Sequence, residues 1–147
     1  MMWQNLDFYK RSKPTKKEKL IEAEINFYGY NVVYINKTME YDNEMERLVA
    51  FTVREHINDN DVDRLVVMIA PEIEKVGGRF WINRYIIHVL IHELAHVILL
   101  EDKTYSLLSD GITDSSYIFH GIRFSEVYTD LCKKYRIRDP DRRFYLD

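Results

Sequence analysis

Hydrophobic positions along the chain change period several times, and each change predicts a new element of secondary structure. Between Thr15 and Tyr28 apolar residues recur every three or four positions, and Thr15 followed three residues later by Glu18 is a capping-box pattern. This segment therefore predicts a first helix. Residues 30–35 are rich in β-branched and aromatic side chains and are too short for a typical helix, which predicts a strand.

The next part of the chain predicts a second helix and a second strand. Residues 42–57 carry an amphipathic stripe with helical period that ends at the polar cluster 58–61. The apolar positions of this predicted helix are Met45, Leu48, Val49, Thr52, Val53 and Ile57. Residues 64–70 (RLVVMIA) are all apolar after Arg64 and are followed by Pro71, and such a segment predicts a buried strand.

A long apolar segment follows. Gly77 and Gly78 predict a tight turn, and residues 79–82 predict a short returning strand whose edge is suited to pairing with an extended substrate. From Asn83, a residue suited to cap a helix, to about Leu100 the chain is apolar nearly all round. We therefore expect a helix that is buried at the centre of the fold.

The C-terminal part predicts a loop and a last helix. Residues 101–119 carry turn signals and no sustained period, and loops of this length are usually functional or mobile. A helical stripe follows, with His120 on its inward face; its members are Phe124, Val127, Tyr128, Leu131, Cys132 and Tyr135. No repeat or linker divides the sequence. We therefore predict one compact α+β domain over residues 1–147, with a small sheet packed on helices.

Composition favours a globular protein inside the cell. The 147 residues are 46% hydrophobic and 31% charged, which excludes disordered and fibrous classes. The single cysteine excludes an internal disulfide and cysteine-rich zinc sites, and favours a reducing, cytoplasmic (intracellular) compartment. Residues 1–19 hold no apolar segment, and residues 86–100 are interrupted by histidines and a glutamate. We therefore expect neither secretion nor a membrane partner.

Two basic segments lie near the chain ends. Residues 10–19 hold six basic residues and one acidic residue, and residues 133–143 hold six basic and two acidic residues, although the chain has a net charge of −3. Such segments are either solvated faces of terminal helices or patches for an anionic surface. The solvated interpretation is the commoner one, and the second interpretation predicts a weak, salt-sensitive association with DNA through these termini. The oligomeric state is not fixed by the sequence.

The predicted central helix carries a metal-binding pattern, His92-Glu93-Leu94-Ala95-His96. Residues four apart are separated by about 40° around a helix and roughly 6 Å along it, so two imidazoles can converge on one metal ion. The intervening glutamate points about 100° away, where it suits a general base acting on metal-bound water. The alternative is that the three polar groups make structural hydrogen bonds. Burying them without partners costs several kcal/mol, which a zinc ion would offset.

A catalytic zinc ion generally has three protein ligands and an open position for water. His88 is an unsuitable third ligand, because a stripe from it through the motif rises about 12 Å. His56 lies near the end of the predicted second helix, where a surface or core role is expected. His120 remains, and Gly121 beside it permits a close approach. A capping role for His120 is the alternative. The predicted Zn²⁺ ligands are His92, His96 and His120, and the predicted catalytic residue is Glu93.

The motif HELAH in an apolar helix, followed by a loop and by His120-Gly121-x-x-Phe124, resembles the SprT-like zinc metallopeptidases, which include the Spartan proteases. The resemblance covers residues 79–135. It implies a compact zincin-like domain, the ligands and base named above, and protein or peptide substrates that are often bound to DNA. Ile122 and Arg123 stand where this family often has Pro and Glu. The related WLM-type and ImmA/IrrE-type metallopeptidases share the first motif.

Two functions of other classes stay open on the sequence alone. One is a zinc-stabilised nucleic-acid- or protein-binding module without catalysis, although a structural zinc normally has four protein ligands. The other is a metal-dependent hydrolase of non-peptide substrates, including an endoribonuclease, because histidine-bound zinc serves many hydrolyses. Three visible ligands favour an open, catalytic site.

Overall fold

The structure is a computed structural model that describes residues 8–11, 13–36, 50–69, 71–102 and 121–137. Within these ranges the chain has a small α+β fold with three helices and one three-stranded mixed sheet, so the predicted α+β class is confirmed. The elements are α1 (Lys16–Phe27), β1 (Tyr30–Asn36), β2 (Ala50–Ile57), β3 (Asn60–Ile69), α2 (Pro71–Glu101) and α3 (Ile122–Lys134). Backbone contacts group the chain into two compact units, Met1–Ile87 and His88–Asp147.

The sheet has the strand order β1-β3-β2, with β1 parallel and β2 antiparallel to β3. The predicted strand at residues 30–35 is confirmed, and so is the second predicted strand over residues 64–69, although β3 begins earlier, at Asn60. Residue 70, the last of that prediction, lies outside the described residues. β3 is the central strand of the sheet, and its second half is buried. This position explains the apolar run in its sequence. Ile35, Val66 and Met68 form a buried cluster within the sheet layer.

The predicted second helix is wrong where the structure describes it, because Ala50–Ile57 is strand β2. Its first part, residues 42–49, lies outside the described residues. β2 and β3 form a hairpin through Asn58 and Asp59, which have φ angles of 50° and 65°. A two-residue hairpin turn needs this left-handed backbone. Opposite charges also face each other across the two strands, with Arg54 Nε 2.8 Å from Asp63 Oδ1.

Helix α1 is confirmed, and it packs on β1 in the first unit. Thr15 is the N-cap, and its hydroxyl accepts a hydrogen bond from the backbone N–H of Glu18 at 3.1 Å. Ile21 and Ile25 are fully buried on the inward face. Gly29 follows the helix with a φ of 97°, a conformation that glycine adopts without strain.

A buried polar network joins the N-terminal segment, α1, β1 and α2. The carboxylate of Glu18 is fully buried and accepts hydrogen bonds from Arg11 Nε at 3.0 Å and from Arg11 Nη2 at 2.6 Å. It also accepts from the Tyr34 hydroxyl at 3.2 Å, and the same hydroxyl contacts Glu22. Arg11 further donates to Asn83 Oδ1 at 2.6 Å. Burial raises the pKa of Glu22, which favours its neutral form beside a hydroxyl that has only one proton to donate.

Helix α2 is continuous from Pro71 to Glu101, which corrects three predictions. The tight turn at Gly77 and Gly78 and the returning strand at residues 79–82 are both helical, so no strand edge for a substrate exists there. Asn83 is an interior helical residue rather than a cap. The helix begins at Pro71 and not at residue 83 as predicted. Proline suits the first helical position, because its fixed φ is that of a helix and its missing N–H is not needed there. The predicted helix over residues 83–100 is confirmed as part of α2.

The apolar part of α2 is largely buried. Within the described residues one helical stretch, Ile82–Glu101, is long and apolar enough to cross a membrane, and 61% of it is buried. A core helix of a globular protein has the same length and composition.

Helix α3 is confirmed, with a buried stripe of Phe124, Val127, Tyr128, Leu131 and Cys132. Its N-cap is Gly121 and its first helical residue is Ile122, whereas the sequence predicts that the helix opens at His120. Tyr135, the last member of the predicted stripe, is the C-cap. Most of the predicted loop, residues 103–119, lies outside the described residues, as does His120. Glu101, the first residue of the predicted loop, belongs to α2.

Candidate metal centre

His92 and His96 lie one turn apart in the part of α2 that belongs to the second compact unit. The helix is continuous here because apolar residues dominate and no Gly or Pro occurs from residue 79 to residue 101. His92 is 4% exposed and His96 is partly buried. Imidazoles at this depth need polar partners, because burying them without any costs free energy. One such partner for each ring is the other histidine.

The two imidazoles approach each other through their Nε2 atoms. These atoms are 3.2 Å apart, and the ring centroids are 4.9 Å apart with planes inclined by 70°. Tetrahedral Zn–N bonds of about 2.0–2.1 Å place two ligand nitrogens roughly 3.3 Å apart. Imidazole nitrogen is also a preferred ligand of zinc. The pair therefore fits two ligands of one zinc ion.

The same separation suits a hydrogen bond between the rings, in which one Nε2–H donates to the lone pair of the other Nε2. The two arrangements differ in the tautomer of one ring. The hydrogen bond needs a proton on one Nε2 atom, whereas a metal ion needs the lone pairs of both Nε2 atoms. Metal uptake by two neutral imidazoles therefore requires the protons of both rings to lie on Nδ1.

Phe124 on α3 packs against both histidines of the motif. Its fully buried ring has its centroid 4.6 Å from that of His96 and 5.2 Å from that of His92. Tyr128, one turn further along α3, stacks on Phe124 with centroids 6.1 Å apart. The sequence identified Tyr128 only as a core residue, although aromatic residues four apart on a helix are neighbours. The aromatic ring restricts rotation of the two imidazoles and helps to keep their Nε2 atoms facing each other.

Replacing Phe124 by leucine is expected to weaken zinc binding about tenfold, because groups that orient metal ligands typically contribute 10- to 100-fold. Leucine keeps the surroundings apolar but removes the flat ring from the imidazoles. The zinc affinity is measured by competition with a chromophoric chelator. Leu131→Ala is the matched control, since it also removes buried side-chain volume from α3 and is expected to lower only the melting temperature. Equal losses of affinity would show that Phe124 acts through the stability of α3 alone.

Glu93 lies beside the histidine pair but off its face, about 100° around the helix from His92. Its side chain is partly buried, and burial raises the pKa of its carboxyl to about 7. A pKa near neutrality is common among groups that transfer protons, and structural carboxyls in apolar surroundings share it. The offset position suits a base that reaches a water molecule better than it suits a metal ligand.

The predicted third ligand, His120, lies outside the described residues. It directly precedes Gly121, the N-cap whose carbonyl accepts a hydrogen bond from Ser125 N at 3.1 Å. Gly121 is the N-cap of α3 and makes no side-chain cap hydrogen bond. The alternative capping role of His120 lies, like that residue, outside the described residues. Within the described ranges no group of three or more His, Cys, Asp and Glu side chains is arranged to hold a metal ion. The three-histidine ligand set stays a prediction.

The other two histidines of the described ranges differ in their surroundings. His88, one turn before His92, is 4% exposed, which agrees with the predicted core or ligand-orienting role. The prediction that His56 lies near the end of a helix is wrong, because His56 lies on strand β2. It is exposed, and its Nδ1 lies 3.0 Å from Asp61 Oδ1 across the hairpin. A surface pair of this kind explains His56 without any metal.

Comparisons with known proteins add no family assignment. No family model, curated protein or solved structure matches the chain. The resemblance to SprT-like metallopeptidases therefore rests on HELAH and on the sequence around His120. Function has to be argued from the chemistry of these residues.

Proposed function

We propose that the chain is a zinc-dependent metallohydrolase, and specifically a SprT-like peptidase of zincin-like architecture that cleaves protein substrates inside the cell. The observation that carries the proposal is the 3.2 Å separation of the His92 and His96 Nε2 atoms in a buried, apolar part of α2. This separation matches that of two nitrogen ligands of one tetrahedral zinc ion, and imidazole nitrogen is a preferred ligand of zinc.

The proposed zinc ligands are His92, His96 and His120, which leave one coordination position for water. A zinc ion held there would lower the pKa of its water toward about 7 and polarise the scissile carbonyl. Phe124 packs against the first two imidazoles, and this contact would keep them oriented toward the metal ion.

Glu93 is the proposed general base. Its carboxylate takes a proton from the attacking water and then delivers it to the leaving amine, which must be protonated before it departs. A single carboxyl that performs both transfers suits amide cleavage. The partly buried position of Glu93 next to the ligand helix face is consistent with this role.

A structural zinc site is the competing explanation, and two features argue against it. Such a site normally has four protein ligands, whereas the chain offers three suitable histidines. A structural zinc site also gives Glu93 no role, although this carboxyl is held in apolar surroundings at a cost in free energy. Both features are explained by an open site that activates water.

The test starts from protein purified without added metal. Elemental analysis is expected to give one zinc ion per chain, and casein is expected to be cleaved in a reaction that a chelator stops and added zinc restores. Absence of zinc together with no uptake on titration would contradict the proposal. One zinc ion without cleavage of casein or of DNA-bound protein would favour the binding module.

A further inference from the structure

Helix α1 exposes a face that combines lysines with large apolar side chains. Phe27 is 84% exposed and Leu20 is 53% exposed, and Ala23 lies between them at helical spacing. The other exposed residues of the helix are Lys16, Lys19 and Asn26. Single exposed apolar residues are common on proteins, but three on one face beside two lysines form a continuous surface. We call these six residues the α1 face.

The acidic residues of α1 are not among its exposed residues. Glu18 is fully buried by its hydrogen bonds to Arg11 and Tyr34, and Glu22 and Glu24 are partly buried. None of the described residues between Phe8 and Asn36 is an exposed acid. Basic and acidic residues alternate along the sequence of α1, but its exposed charged residues are Lys16 and Lys19. The α1 face is left basic and apolar.

Two further lysines extend the basic surface beyond the helix. Lys10 and Lys13 are exposed in the segment that leads into α1. Arg11, between them, is nearly buried and neutralised by Glu18, so it adds nothing to this surface. Four exposed lysines thus accompany the apolar stripe in the first unit.

We propose that the α1 face binds the surface of an anionic phospholipid membrane. Lysine stems lie along the interface with their ammonium groups at the phosphates, while the exposed Leu20 and Phe27 enter the boundary with the acyl chains. A helix of this length measures about 18 Å and lies flat in the interface. A nucleic acid would use the lysines equally well, but its phosphates gain nothing from Leu20 and Phe27.

This proposal revises the expectation that the chain has no membrane partner. That expectation concerned spanning and secretory segments, whereas binding at a membrane surface needs neither. Surface binding depends on which side chains of α1 face outward, and the sequence KKEKLIEAEINF does not reveal that Glu18 is buried. Glu18 and Glu22 are held by hydrogen bonds to Arg11 and Tyr34, which lie on other elements.

The experiment is co-sedimentation of the full chain with vesicles of phosphatidylcholine alone and of phosphatidylcholine mixed with phosphatidylserine. Binding is expected only to the anionic vesicles, and it is expected to weaken as salt rises. Replacing Lys16 and Lys19 by glutamine should weaken it about 25-fold, since each lysine near an anionic surface contributes about fivefold. Phe27→Gln should weaken it about tenfold by removing apolar surface.

The matched control replaces Lys133 and Lys134, which are exposed in the last turn of α3, by glutamine. This variant has the same change in net charge and is expected to bind the vesicles like the natural sequence. Far-UV circular dichroism and the melting temperature establish that all variants are folded. Absence of vesicle binding, or an equal loss in the control variant, would overturn the proposal. Lysine-dependent binding to duplex DNA that Phe27→Gln does not alter, without binding to vesicles, would assign the α1 face to nucleic acid instead.

Discussion

Alanine in place of His92 is expected to lower the zinc affinity of the chain by about 10²- to 10³-fold, because one of three ligands is lost and binding energy is shared among them. His96→Ala is expected to have the same effect, since its Nε2 lies 3.2 Å from that of His92 and the two form one site. The measurement is competition against a chelator of known affinity, together with elemental analysis. Retention of full affinity by either variant would exclude the histidine pair as a metal site.

The third ligand is tested by three further alanine variants. His120→Ala is expected to weaken zinc binding as strongly as His92→Ala does. His56→Ala is a surface control, because that side chain is exposed and paired with Asp61. His88→Ala is a buried control, which is expected to lower the melting temperature and leave one zinc ion per chain. Loss of zinc from the His88 variant, with full binding by the His120 variant, would replace the proposed ligand set.

The parts of the fold that the sequence predicts well are those that local interactions determine. In α1 and α3 the apolar stripe, the cap and the turn residues all lie within a few positions of one another. Thr15 accepts the first-turn N–H of Glu18 as its spacing indicates, and the stripe that begins at Phe124 is buried as expected. Agreement between these local signals leaves little for the rest of the chain to decide.

Strand β2 was predicted as a helix because the spacing of Thr52, Val53 and Ile57 also fits a helical stripe. Its strand conformation depends on pairing with β3, which is not a local property. One local signal was nevertheless present. Asn58 and Asp59 form a polar pair of the kind that favours a two-residue hairpin turn, and opposite charges are placed symmetrically on either side of them.

Helix α2 shows the converse error, in which local signals were given too much weight. Gly77 and Gly78 each cost about 1 kcal/mol in a helix interior, and this cost suggested a turn. The helix nevertheless continues through both glycines. Pro71 followed by two glutamates within four residues is a helix-start signal that favours the observed beginning.

In the candidate site, too, some features follow from local geometry and others depend on how separate elements pack. Convergence of His92 and His96 follows from helix geometry alone, so the sequence predicts it and the structure agrees. The contact of Phe124 with both imidazoles and the inward direction of Glu18 depend on how separate elements pack. Periodicity indicates that such residues are buried, but it does not indicate which groups they meet.

Glutamine in place of Glu93 is expected to lower the rate of protein cleavage by about 10²- to 10⁴-fold, which is the usual contribution of a general base. Glutamine has nearly the same shape and cannot accept the proton of the attacking water. Zinc content is expected to stay at one ion per chain, because Glu93 lies off the face that carries the two histidines. The melting temperature is not expected to fall, since burial raises the pKa of this carboxyl and a neutral amide suits the same surroundings.

The measurement compares zinc content, melting temperature and casein cleavage for the natural sequence, Glu93→Gln and Glu101→Gln. Glu101 ends the same helix and is exposed, so its replacement removes one negative charge near the site without removing the proposed base. We expect cleavage to be lost only in the Glu93 variant. Cleavage that survives in this variant would show that another group takes the proton. A loss that Glu101→Gln shares would instead attribute the effect to the changed charge of the helix end.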